Sequence, residues 1–123
     1  MKERQITGEV LKYVRDNFKH SCAVECKVSN GDSIAFSALQ PHQEQALLIA
    51  THSCLYHKIS DAGAYAPLPF DGFVLCGVPA YVALRWKGRG ITIITIQKWI
   101  QEREASKRKS LTYDRAFEIA KRV

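Results

Sequence analysis

Glu25, Cys26 and Lys27 follow one another in an order that gives a strand a carboxylate and an ammonium side by side, because residues two apart project from the same face. A carboxylate so placed can hold Mg2+, and the ammonium beside it can stabilise charge on a phosphorus centre or orient an attacking water. The same tripeptide also serves as an exposed charge pair, so its meaning depends on its company. Two further polar residues stand where apolar ones are expected. At roughly 100° per residue, Glu3 falls in line with Ile6, Val10 and Val14, whereas Glu9 lies at the edge of that stripe. A first-turn acid is also favoured simply by the helix dipole. Gln43 recurs with Ala46, Leu47 and Ala50 at i, i+3, i+4 and i+7 and so points where apolar residues point. His42 beside it is of a type suited to proton transfer near neutral pH, though a first-turn histidine equally meets solvent or phosphate.

The elements that must hold these groups follow from periodicity. Residues 3–18 carry a helical stripe of Ile6, Val10, Tyr13, Val14 and Phe18. Residues 21–28 alternate, with Cys22, Val24, Cys26 and Val28 on one face and Ala23, Glu25 and Lys27 on the other. Asn30-Gly31-Asp32 signals a turn, which makes 33–39 the returning strand of a hairpin. Pro41 opens a helix over 41–52. Strands are predicted at 54–61, 70–76, 80–86 and 91–96, with a turn-rich connection at 62–69 and a tight turn at 87–90. Four or five strands are expected to form one sheet. A helix over 97–107 follows, and 110–112 caps a last helix over 113–123. With 123 residues, the chain suits a single domain, 1–123, with a basic helical C-terminal segment at 98–123.

Cysteines stand at 22, 26, 54 and 76, with no C-x-x-C pair and no flanking histidine cluster. On one strand Cys22 and Cys26 would lie about 13 Å apart, too far to share one zinc. Buried free thiols are the expectation for all four.

Taken together, the pieces resemble the PD-(D/E)xK nuclease superfamily and, within it, small phage and prophage proteins similar to Holliday junction resolvases. The resembling text is Ala23-Val24-Glu25-Cys26-Lys27, Ser37-Ala38-Leu39-Gln40-Pro41-His42-Gln43, Lys58-Ile59-Ser60-Asp61, Pro69-Phe70-Asp71-Gly72-Phe73, Ala80-Tyr81-Val82 and Ser110-Leu111-Thr112. It spans nearly the whole chain. The resemblance implies an α/β (α+β) fold, a restriction-endonuclease-like mixed β-sheet flanked by helices, and an Mg2+-dependent endonuclease, with Mn2+ as an alternative metal, that hydrolyses phosphodiesters in branched DNA as a homodimer.

One departure from the family pattern is plain: no Pro-Asp precedes Glu25. Pro69-Phe70-Asp71 comes later, and Asp71 is the expected relocated acid, reaching the same metal from a neighbouring strand. By this likeness Glu25, Asp71 and the Cys26 carbonyl hold the metal, and Lys27 is the electrostatic catalyst. Glu3 acts on the metal through water, and Gln43 bonds the scissile phosphate or the water. Lys58 and Asp61 are motif residues best read as an ion pair. If Glu25 and Asp71 crowd one site, removing either is expected to leave the metal-free protein as stable or more so. The alternative to an enzyme is a catalytically inactive DNA-binding or inhibitory protein that keeps the fold.

Charge supports a polyanionic partner. Eighteen Lys and Arg against twelve Asp and Glu give +6, and the sequence pI is about 9.3. Residues 98–123 hold eight basic and four acidic groups, whereas 28–97 hold four of each. Lys87, Arg89, Lys107, Arg108 and Lys109 are therefore the candidates for phosphate-backbone contacts. A mean hydropathy of -0.19 excludes wholesale disorder and low-complexity classes. No stretch approaches the roughly 20 apolar residues of a membrane span, and the opening Met1-Lys2-Glu3-Arg4-Gln5 is no secretory signal. A cytoplasmic protein with no membrane partner is the expectation.

Overall fold

The structure, a computed structural model, describes residues 2–59 and 69–122. Its centre is Ala80–Trp86 (β5), a run so apolar that it can only be covered on both faces; all of it but Arg85 is buried. Ala23–Ser29 (β1) pairs parallel to it, with Glu25 opposite Val82 and Lys27 opposite Leu84. Gly90–Thr95 (β6) pairs antiparallel on the other side. The resulting mixed sheet has the order β1-β5-β6, so β1 is an edge strand.

Helices cover both faces. Glu3–Phe18 (α1) lays Ile6, Val10 and Val14 against Cys26, Tyr81, Ala83 and Ile93. On the opposite face Pro41–His52 (α2), Ile96–Ala105 (α3) and Tyr113–Ile119 (α4) enclose Val82, Leu84, Trp86, Ile94 and Trp99. Alternation along β5 and β6 sends neighbours into different cores, which makes the class α+β with a mixed sheet between helical layers.

Three expectations are corrected. Residues 21–28 and 33–39 do not form a hairpin. The turn exists, held by the Ser29 hydroxyl donating to the Ser33 carbonyl at 2.7 Å, but Ser33–Ala35 (β2) pairs instead with Ser110–Thr112 (β7). Ile34 is thereby set opposite Leu111 and buried in the larger core. The chain then leaves as a 3-10 turn, Phe36–Ala38. Nor do the strands make one sheet: Cys54–Lys58 (β3) and Gly72–Cys76 (β4) form a separate antiparallel ribbon. Finally, Cys54 and Cys76 face each other across that ribbon and form a disulfide, leaving Cys22 and Cys26 as the free thiols. Alternation sets Cys22 and Cys26 on one face of residues 21–28, and both lie on the side that α1 covers, Cys26 buried and Cys22 partly so. Most of the predicted 62–69 connection, with Asp61, lies outside the described residues. Among the described residues no helix is long and apolar enough to cross a membrane.

Candidate active site

β1 displays Glu25 and Lys27 on the face turned away from α1, as its alternation requires. Lys27 is the unusual one. Its side chain is only 8% exposed, and a buried ammonium needs partners to offset lost hydration. It has two. Lys27 Nζ lies 3.3 Å from Glu25 Oε1 on its own strand and 3.4 Å from Glu3 Oε1 at the start of α1. Because α1 covers the other face of the sheet, Glu3 meets Lys27 around the open edge of β1. The inward direction read from the Glu3 position thus ends on a buried cation.

Gln43 completes the group from α2. Its Oε1 accepts from the Gln40 backbone N–H at 3.0 Å, closing the first turn of the helix, and its Nε2 donates to Glu25 Oε1 at 3.0 Å. One carboxylate oxygen therefore receives both an amide donor and the ammonium. Four of the residues singled out by sequence, Glu3, Glu25, Lys27 and Gln43, converge from three elements. Cys26 points its thiol the other way, where burial first and the nearby Glu25 and Glu3 charges second push it up to about 11. Only its backbone carbonyl is on offer to a cation.

Asp71 does not join through a neighbouring strand. It stands exposed just before β4, its carbonyl accepting from the Ile59 N–H at 2.8 Å, and β4 hydrogen-bonds to β3 rather than to β1. The strand beside β1 is β5, which sets Val82 and Leu84 opposite Glu25 and Lys27. Among the described residues no group of three or more His, Cys, Asp or Glu is placed to hold a metal ion. Lys58 ends β3 with Gly72 opposite it. His42 is exposed at the start of α2.

The proposed phosphate contacts fall in two places. Lys87 and Arg89 flank the β5–β6 turn, where Arg89 pairs with Asp32 at 3.1 Å and lies over the Tyr113 ring at 4.7 Å. Lys107, Arg108 and Lys109 are exposed in the segment leading into β7. There the Lys109 carbonyl accepts from Phe36 N–H at 3.0 Å.

Sequence reading missed an open groove of about 1220 Å³ that runs from Glu25 and Gln43 to the β3–β4 ribbon. Arg15, Lys19 and His20 from the end of α1 form one wall, and Tyr56, His57 and Phe73 from the ribbon form another. His20 Nδ1 meets the Phe18 carbonyl at 3.1 Å and Nε2 meets the Tyr81 hydroxyl at 2.8 Å. A carbonyl can only accept, so Nδ1 carries a proton, and in the neutral ring Nε2 accepts from Tyr81. Burial raises the Tyr81 hydroxyl pKa and keeps it a donor. The available signal was the i, i+4 spacing of Arg15 and Lys19, which marks one helix face.

No family model, no curated protein and no solved structure matches this chain.

Proposed function

We propose that the chain is a metal-dependent DNA endonuclease, similar to the Holliday junction resolvases it resembles, that hydrolyses phosphodiesters in branched DNA. The observation that carries this reading is the shared contact of Glu3, Glu25 and Gln43 with or beside the buried ammonium of Lys27. The donor chemistry fits a hard divalent cation: Glu25, Glu3 and the Cys26 carbonyl offer oxygen only, and Mg2+ keeps waters in its remaining positions. Glu3 thus takes the place in the donor set expected of Asp71. When bound, Mg2+ or Mn2+ would supply a Lewis acid for the phosphate and an acidified water.

The chain's own residues have separable duties in this reading. Lys27, with little solvent around it, stabilises negative charge that builds on the phosphate oxygens, where a low-exposure cation acts more strongly than one in water. Gln43 has its carbonyl oxygen committed to the helix turn, so its amide group orients Glu25 and leaves a second N–H for phosphate or water. Cleavage of two strands would need two such sites, which a homodimer supplies.

A second reading, a binding protein that keeps the arrangement without cutting, is favoured by one feature. The Lys27 ammonium already pairs with both carboxylates and offsets one of their two charges, and a metal must compete with it. Labelled four-way junction, duplex and single strand incubated with Mg2+ or Mn2+ separate the two. The nuclease reading expects metal-dependent products that disappear in Glu25→Gln. DNA retained without cleavage under every condition would establish the binding protein.

A further inference from the structure

The groove beside the site has a composition that the nuclease reading does not require. Among its described lining residues Glu25 is the one carboxylate, against Arg15 and Lys19 and the three histidines His20, His42 and His57. Its far wall carries exposed aromatic surface: Phe73 is 40% exposed and stands opposite His57 on the same face of the ribbon, whereas Tyr56, one residue along, projects from the other face. Phe73 and His57 come from a ribbon closed at one end by the Cys54–Cys76 disulfide, and their rings lie 5.4 Å apart. A cationic wall facing an aromatic wall matches a polyanion that also presents flat apolar faces. A duplex offers the phosphates but keeps its base faces stacked inside; an unpaired strand offers both.

We propose that this groove holds a single unpaired DNA strand, with Arg15 and Lys19 on its phosphates and the Phe73 ring, beside His57, under its bases, and delivers it to Glu25 and Gln43. The inference rests on the nuclease reading for its direction and deepens it by naming the strand geometry selected: the unpaired nucleotides of a branch or flap. Arg15 serves although it pairs with Asp16, because that pair is on the surface, 70% and 60% exposed, and exchanges readily for phosphate. Specificity then comes from stacking, which does not distinguish sequence, so the groove selects structure.

Binding measured by fluorescence anisotropy in EDTA, with a labelled twelve-nucleotide oligo(dT) and a blunt duplex of equal length, tests this without cleavage. The full chain is expected to prefer the single strand. Phe73→Ala should weaken single-strand binding roughly ten-fold with an unchanged salt slope, while Phe73→Tyr retains it. Arg15→Ala with Lys19→Ala should lower the log-log salt slope by about 0.7 for each phosphate no longer neutralised. All three side chains are at the surface, and circular dichroism checks that each variant is folded. Equal affinity for the two probes, or folded variants that bind as the parent does, would overturn the groove assignment and leave the nuclease reading standing. Groove-dependent binding without cleavage under any metal would do the reverse.

Discussion

Burying an ammonium costs free energy that only close counter-charges offset, and Lys27 makes Glu25 and Glu3 structural as well as chemical residues. The expectation that deleting Glu25 relieves repulsion is therefore reversed: with Lys27 between the carboxylates, Glu25→Ala strands a cation that is 8% exposed. The variant should lose about 1–2 kcal/mol in metal-free urea unfolding, less than for a fully buried pair because Glu3 remains and Glu25 is 30% exposed. Glu3→Ala should cost less, since its side chain is 49% exposed. Cys26 gives a pH test of opposite character. Its thiol is held neutral, with a folded pKa of about 11 against an ordinary 9. Its contribution to stability is full below about pH 9 and is lost between about 9 and 11, as the unfolded thiol ionises first. Unfolding curves of the parent and Cys26→Ala should therefore converge over that window, and a constant gap would contradict the assignment.

At the scale of elements, α2 is the part whose position decides whether Gln43 reaches Glu25. Gln43→Glu keeps the acceptor for the Gln40 N–H but turns a donor into a second carboxylate facing Glu25. Its folded pKa is raised by that neighbour, so the variant's deficit should be small near pH 4 and grow as the pH rises above it. Thermal melts of the parent and variant across pH 4–8 read this directly. The ribbon makes a separate case. Serine at Cys54 and Cys76 should destabilise the oxidised protein by about 2–4 kcal/mol, as loss of a cross-link does, and added reductant should abolish the difference. The helices α1 and α2 were legible because their stripes repeat locally. Strand partners were not: the Asn30-Gly31 turn is real, but Ile34 gains more by meeting Leu111 in the core than by returning along β1. The disulfide was illegible for the same reason, since only the pairing of β3 with β4 brings its halves together. Of the site, Glu3 and Gln43 could be read because each falls on the apolar stripe of a helix, and Glu25 and Lys27 because alternation sets them side by side on one face of a strand. Asp71 rests on the Pro69-Phe70-Asp71 motif and on alternation with Phe73 and Leu75, and neither says which strand is its neighbour; β4 pairs with β3 and not with β1.

For the whole molecule, the +6 charge predicts attraction to DNA at low salt, but its distribution now divides in two. Arg15 and Lys19 line the groove that opens on the site, whereas Lys87 and Arg89 flank the turn beyond β5, with Arg89 held by Asp32. Reversing Lys107, Arg108 and Lys109 to glutamate should weaken binding to every sequence alike and flatten the salt dependence, because phosphate contacts carry affinity without readout. The measurement that bears most directly on the central claim is cleavage of a labelled branched DNA in Mg2+ or Mn2+ by the parent and by Lys27→Met, which keeps the buried volume and removes the charge. The expected result is a parent that cuts and a folded variant that still binds DNA in EDTA but cuts about 100-fold more slowly or not at all. A Lys27→Met protein that cuts as fast as the parent would contradict the account.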